Sequence, residues 1–300
     1  MRKSVRLRTL NPVGDRAVLE GLWRAALDPP WPLLPVGLDM VRAGLVAEEG
    51  GRPVAAVATD PAGSVPLLLV DPAHQRRGVG TRLLDGALRQ LRALGVETVR
   101  LGSGGHDYIW PGVPDDLSGA VRFFEASGWR WHEAVIDLVR DLRDYRGDPG
   151  VHERAARAGV TIEPCGERDR ERVLAFEAEA FPSWLRWFQR GDSSVLAARD
   201  ASGRLVGTLL YAGPGPVSVL DPMLGPMAGT IACVGVAGVA QGQGIGSAMV
   251  TRASELLRDA GTRVCHIGWT TREAFYARAG YTRWRRYLMS GRSLSVPPES

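Results

Sequence analysis

Lysine is almost missing from this chain of 300 residues: Lys3 is the only one, and arginine carries the rest of the positive charge. The imbalance looks like a codon-composition bias, and it leaves no lysine for an ATP-type phosphate loop, which places one directly before a Ser or Thr. Cysteine is scarce as well. Cys165, Cys233 and Cys265 have no metal-ligand spacing and form no paired framework, so they read as buried structural thiols, and no metal site is expected. No run of about 18 apolar residues occurs, and Met1-Arg2-Lys3-Ser4-Val5-Arg6 leads into no apolar signal core. The expectation is a cytoplasmic protein with no membrane contact. Blocks of one charge are absent too: the net charge of +4 comes from arginines interspersed with Asp and Glu, which argues against nucleic acid as a partner.

What is present is an ordinary globular composition, 45% hydrophobic and 23% charged, in a length that suits two domains of about 150 residues. One loop occurs twice. In the first half Val70 ends an apolar strand and Gln75-Arg76-Arg77-Gly78-Val79-Gly80-Thr81 follows; in the second, Val236 is followed by Gln241-Gly242-Gln243-Gly244-Ile245-Gly246-Ser247. Each Gln comes five residues after the valine, glycines follow at plus three and plus five, and an amphipathic helix begins. The chain reads as a tandem repeat of one nucleotide-binding unit.

The spacing has a physical basis. A strand that turns directly into a helix leaves the first-turn N–H groups without intrahelical partners at the positive end of the helix dipole, a ready site for phosphate. Glycine at 78, 80, 244 and 246 permits unusual backbone angles and removes the Cβ that would block a diphosphate. Gln75 and Gln241 offer side-chain donors, Thr81 and Ser247 hydroxyls. A dinucleotide-binding fingerprint is excluded, since its third Gly or Ala would fall on Leu83 or Met249.

Strands are expected near Val5–Thr9, Ala43–Glu48, Pro53–Thr59 and Pro66–Val70, with a helix over Asp15–Leu27 and a Pro/Trp-rich loop over Asp28–Pro35. Val79, Leu83, Leu84, Ala87, Leu88 and Leu91 form a helical stripe after the first loop, and Ile245, Met249, Ala253, Leu256 and Leu257 do so after the second. The polar stretch Asp141–Gly159 is the best boundary, giving domains 1–145 and 159–300 joined by a linker, 146–158. Both halves read as mixed α/β units.

Gln-x-x-Gly-x-Gly between a strand and a helix resembles the acetyl-coenzyme A loop of the GNAT acyltransferase superfamily. Further matches are the short strands Glu97–Leu101 and Arg263–Ile267, and the aromatic tags Phe123-Phe124-Glu125-Ala126-Ser127-Gly128-Trp129 and Phe275-Tyr276-Ala277-Arg278-Ala279-Gly280-Tyr281. The resemblance implies two tandem GNAT domains, acetyl-CoA as cofactor, a small-molecule amine as acceptor, and a monomer or homodimer. It implies that the tag tyrosine, Tyr276, is the general acid for the departing thiolate. Phe124 stands at that place in the first half and has no proton to give, so the second domain is read as catalytic and the first as non-catalytic. It also implies that backbone groups of Cys233, Val234 and Val236 hold the pantetheine arm. Glu177, Glu179, Asp192, Asp221 and His266 are open candidates for the base. Cys233 as a nucleophile has no Cys-His-acid constellation behind it.

Among tandem members, His106-Asp107-Tyr108-Ile109-Trp110-Pro111-Gly112-Val113-Pro114 and Cys265-His266-Ile267-Gly268-Trp269 look closest to bacterial glucosamine/glucosaminide N-acetyltransferases. An amino sugar is then the leading acceptor, with Trp184 and Trp187 of the Phe181–Phe188 segment, and Trp269, as aromatic faces for it. An aminoglycoside-like compound or another small amine as acceptor, or a CoA-responsive binding module without turnover, is the alternative.

Overall fold

Alternating apolar runs become strands, the two stripes behind the glycine loops become long helices, and the computed structural model assembles them into two units. It describes residues 4–102, 109–214 and 220–294. Unit 1 consists of Met1–Val135, Val217–Met223 and Arg286–Ser300; unit 2 consists of Ile136–Pro216 and Leu224–Arg285.

The chain begins β1 (Val5–Thr9), α1 (Arg16–Ala26), α2 (Pro35–Asp39), β2 (Ala43–Glu49), β3 (Arg52–Asp60), β4 (Ser64–Val70), α3 (Val79–Ala93), β5 (Thr98–Leu101), β6 (Val113–Pro114), α4 (Ser118–Ala126) and β7 (Glu133–Asp141). It continues α5 (Pro149–Arg157), β8 (Thr161–Pro164), α6 (Arg170–Ala180), α7 (Leu185–Arg190), β9 (Ser194–Arg199), β10 (Leu205–Ala212), α8 (Asp221–Leu224) and β11 (Ala228–Val236). After the second loop come α9 (Ile245–Asp259), β12 (Val264–Thr270), α10 (Glu273–Ala277), β13 (Thr282–Met289) and β14 (Gly291–Ser293).

In unit 1 the strands run in the order β1-β2-β3-β4-β5-β14. The stripe of α3 buries Val79, Leu83, Leu84, Ala87, Leu88 and Leu91 with Leu45, Val57 and Val99 of the sheet. At about 25 cal/mol per Å² of apolar surface, each such leucine contributes roughly 2 kcal/mol. Trp110 donates its ring N–H to the Pro66 carbonyl at 2.9 Å and packs on Trp23 and Trp31. Ile109 and Trp110, part of a segment likened to a sugar-acting subgroup, are therefore core, while His106, Asp107 and Tyr108 lie outside the described residues.

Unit 2 orders its strands β13-β7-β12-β11-β10-β9-β8, with β13 belonging to it as far as Arg285. From its sheet, Leu138, Leu209, Ile231, Cys265 and Ile267 pack on one face with Ile245, Met249, Ala253 and Leu257 of α9. The opposite face of β10 and β11 is covered by α6 and α7 through Val173, Phe188 and Leu210.

The division departs from domains 1–145 and 159–300. Strand β7 begins in unit 1 yet pairs with β12 of unit 2 from Ile136 onward, and β14, near the chain's end, pairs with β5 in unit 1. The expected linker 146–158 is mostly the helix α5. Asp148 caps it by accepting from the Gly150 N–H, Pro149 fills its first turn, and Val151 and Ala155, one turn apart, pack on Ala248 of α9.

Candidate active site

The two loops are built alike. Gln75 Nε2 donates to the Val70 carbonyl at 3.1 Å, and Gln241 Nε2 donates to the Val236 carbonyl at 2.9 Å. Each glutamine thus pins a strand end to the turn, spending there a donor that the sequence had offered to phosphate. Gly78 and Gly244 open α3 and α9 with φ of 78° and 80°, angles that L side chains rarely adopt. Gly80 and Gly246 instead make room for the tag: a Cβ on Gly80 would lie 3.3 Å from the Phe123 ring, and one on Gly246 would lie 3.2 Å from the Phe275 ring. Val79 and Ile245 point into the cores, so only their backbone is available to a ligand.

The second loop fits a diphosphate. Among the described residues helix α9 has no side-chain cap, which leaves the N–H groups of Ile245, Gly246 and Ser247 for a ligand, and a Cβ on Gly242 would meet nothing within 4 Å. Charge is arranged differently in the two copies. Arg77 of the first loop is tied to Glu49 at 2.7 Å, whereas the residues Gln241–Ser247 include no cation. Helix α5 brings one to the second loop: a Cβ on Gly244 would stand 3.9 Å from Arg154 Nε. Sequence reading missed Arg154 because it treated α5 as linker, although the Asp148-Pro149 start signal was there.

The cofactor strands differ more. In unit 2 β11 and β12 run parallel through Ala228↔Val264, Gly229↔Cys265 and Thr230↔His266, and no pairing follows. Beyond that point β11 is bulged. Thr208 pairs with Gly235 and Leu210 with Ala232, so Cys233 and Val234 together oppose Leu209, and Cys233 takes a φ of 50°. A bulge leaves backbone groups outside the ladder and turns them toward the open side. In unit 1 the corresponding residues, Leu67 and Leu68, pair regularly with Ala58 and Val57. Unit 1 therefore lacks the bulge at this height as well as the tyrosine.

Tyr276 is buried on α10, edge-on to Phe275 at 4.8 Å and to Tyr281 at 6.4 Å. Burial first, and the neighbouring Cys233 second, push its phenol up to about 12. Burial likewise pushes the Cys233 thiol up to about 12, with Glu177 adding to the effect. Glu177 on α6 is fully buried, accepts a hydrogen bond from Thr208 Oγ1, and has a second oxygen without a hydrogen-bond partner. Desolvation raises its carboxyl from 4.5 to about 7.

The other candidates for the base separate cleanly. Glu179 is exposed, and Asp192 is exposed and bonded to Arg190 at 2.8 Å. Asp221 carries no described side chain. His266 is half-buried on β12, with Nε2 at 3.1 Å from Asp137 Oδ2. Of the aromatic faces, Trp184 stacks on Phe181 at 5.1 Å, and Phe181 lies against Gly235 of β11. Trp187 is flanked by Arg186 and Arg190 at 5.0 and 5.2 Å. Trp269, at a φ of 50°, donates its backbone N–H to Asp137 Oδ1 at 2.9 Å.

Comparison with known proteins agrees with this architecture. Residues 42–130 match the acetyltransferase (GNAT) domain model and residues 164–283 the acetyltransferase (GNAT) family model. A mycothiol acetyltransferase from Clavibacter sepedonicus is 32% identical over 51% of this chain and 50% of its own length. Another, from Beutenbergia cavernae, is 31% identical over 75% of this chain and 79% of its own. The chain thus spans about half the length of the Clavibacter relatives it matches. The glucosamine N-acetyltransferase region of a fungal multi-domain GH3 β-N-acetylglucosaminidase superposes with a TM-score of 0.89 at 28% identity, over 97% of this chain and 38% of that one. A tandem GNAT protein from the clavulanic acid biosynthesis pathway, 18% identical with a TM-score of 0.65 over 98% and 100%, shares the fold. With two matched domains and a relative aligned along three quarters of its length, the chain belongs to the GNAT acetyltransferase family.

Proposed function

We propose that this chain transfers the acetyl group of acetyl-CoA directly to a primary amine of a small molecule, first among them an amino sugar, and that unit 2 carries the reaction. The observation behind the choice of unit is the pairing of the Cys233–Val234 bulge with buried Tyr276, where unit 1 has its irregularity two residues earlier in the strand, at Val65 and Pro66, and carries Phe124. Bound acetyl-CoA supplies an activated thioester. Amides of Gln241 to Ser247 would hold its diphosphate, with Arg154 as the nearby cation, and the freed backbone from Cys233 to Val236 would line the pantetheine arm and polarise a carbonyl. The Tyr276 hydroxyl, pushed up to about 12, keeps its proton at neutral pH and holds it for the leaving sulfur. Cys233, protonated for the same reason, is no nucleophile, which supports direct transfer over an acyl-enzyme. An amino sugar is favoured by likeness to the glucosamine N-acetyltransferase region along almost the whole chain and by Trp184 and Trp269 near the open strands.

Free-thiol release from acetyl-CoA against amino sugars, aminoglycosides, polyamines and peptides tests the reading. Fastest release with a glucosamine-type amine is expected. Release only with peptides or polyamines would reject the acceptor class, and hydrolysis without amine dependence would reject the activity.

A further inference from the structure

His266 is the last residue of β12 paired with β11, at the point where the two strands part. It lies on the sheet face opposite Cys265 and Ile267, which pack on α9. On the next strand, β7, its partner is Val139, and two residues away Asp137 sits on the same face. Asp137 faces a bulge in β12, where Gly268 and Trp269 together oppose it. Both of its oxygens face groups of β12. Oδ1 accepts the Trp269 backbone N–H at 2.9 Å, and Oδ2 lies 3.1 Å from His266 Nε2. The Trp284 ring from β13 stands edge-on to the imidazole at 5.9 Å, and β11 offers the neutral Thr230 beside it. Among the described residues, Asp137 is the charged group that lies against the ring.

We infer that His266 Nδ1 takes the proton from the acceptor amine, with Asp137 as the positioning residue that keeps the other ring proton on Nε2. Nε2 is the buried nitrogen, and its contact with Oδ2 falls short of an aligned hydrogen bond in the free protein. Such contacts commonly tighten when substrate closes the site. The ring retains 13% side-chain exposure while Nε2 is buried, which leaves Nδ1 as the ring nitrogen for the acceptor. Glu177, by contrast, is fully buried. The step balances with residues already placed. As the N–C bond forms, the neutral amine gives one proton to Nδ1; as the C–S bond breaks, Tyr276 Oη gives one to sulfur; solvent exchange restores both groups. Because a single carboxylate holds both the base and Trp269, it also fixes the base relative to an aromatic wall of the acceptor site.

This inference rests on the acetyl-transfer reading, but its test has a readout that does not. In ¹⁵N-histidine-labelled protein without cofactor, with His266 assigned by loss of its signal in His266→Gln, neutral His266 should carry its proton on Nε2. In Asp137→Asn the amide oxygen keeps Trp269 while the NH₂ faces Nε2, so the proton should move to Nδ1. His266→Gln should lower kcat by roughly 10²–10⁴-fold with acetyl-CoA affinity unchanged, and Asp137→Asn should lower it comparably because Nδ1 is then blocked. Melting temperatures check that both variants fold. A wild-type Nδ1–H tautomer, or a folded His266→Gln with kcat within threefold of wild type, would overturn the assignment. Absence of acetyl transfer in wild type would instead count against the proposed function, and the tautomer would still judge the dyad.

Discussion

Replacing Glu177 by Gln should make the protein's stability less dependent on pH. The carboxyl is fully buried, raised by desolvation from 4.5 to about 7, and bonded on one oxygen to Thr208. A carboxyl whose folded value exceeds its unfolded value binds more protons when folded across the intervening window. Wild-type stability therefore falls as pH climbs from about 4.5 to about 7, and the loss persists above that. At about 1.4 kcal/mol per pH unit the full displacement is worth at most roughly 3 kcal/mol, and relaxation around the site brings the expectation to about 1–2 kcal/mol. Gln keeps the Thr208 bond and cannot ionise. Its second donor adds a constant cost, so the informative quantity is the change in melting-temperature difference between pH 5 and pH 8. With about 2–4 °C per kcal/mol for a chain of this size, the variant should gain roughly 2–8 °C on wild type over that interval. Parallel melting curves at every pH would show that Glu177 ionises normally and that its burial has no electrostatic consequence.

Arg154→Gln should weaken acetyl-CoA binding by roughly three- to tenfold by calorimetry, with a shallower salt dependence and nearly unchanged kcat, as loss of one exposed cation near a phosphate does. Cys233→Ala should keep kcat within about threefold, and double-reciprocal kinetics should intersect, since a thiol pushed up to about 12 does not form an acyl-enzyme; parallel lines or a trapped acetyl-cysteine would reject direct transfer. Introducing Phe124→Tyr into a Tyr276→Phe background should not restore turnover, because β4 pairs regularly at Leu67 and Leu68; recovery above about a tenth of wild-type activity would place latent chemistry in unit 1.

Local pattern carried much of the fold. The glycine spacing located both loops, the apolar stripes located α3 and α9, and the aromatic tags located α4 and α10, because each is written in consecutive residues. What escaped was set by distant partners. Nothing near Glu133–Asp141 says that this strand pairs with a segment more than a hundred residues later, nor near Gly291–Ser293 that it returns to β5. The bulge at Cys233 depends on its register against β10, and the Asp137–His266 approach on the strand exchange. Helix α5 was legible, since Asp148-Pro149 and the Val151/Ala155 pair are ordinary start and burial signals. Glycine substitution is a poor test of the loops: valine at Gly244 would be strained at a φ of 80°, and valine at Gly246 would meet Phe275. Loss of binding in either variant would mix misfolding with blocked phosphate, which is why Arg154→Gln is the cleaner probe.

The central claim is that unit 2 performs the transfer with Tyr276 as its acid, and steady-state kinetics of Tyr276→Phe at saturating amine test it most directly. Only a buried hydroxyl is removed and the ring's packing is kept, so acetyl-CoA affinity should stay at the wild-type level while kcat falls by roughly tenfold to ten-thousandfold. The defect should shrink with an acyl donor whose thiol leaves more readily. Wild-type kcat with both donors would contradict the account, removing Tyr276 from the chemistry.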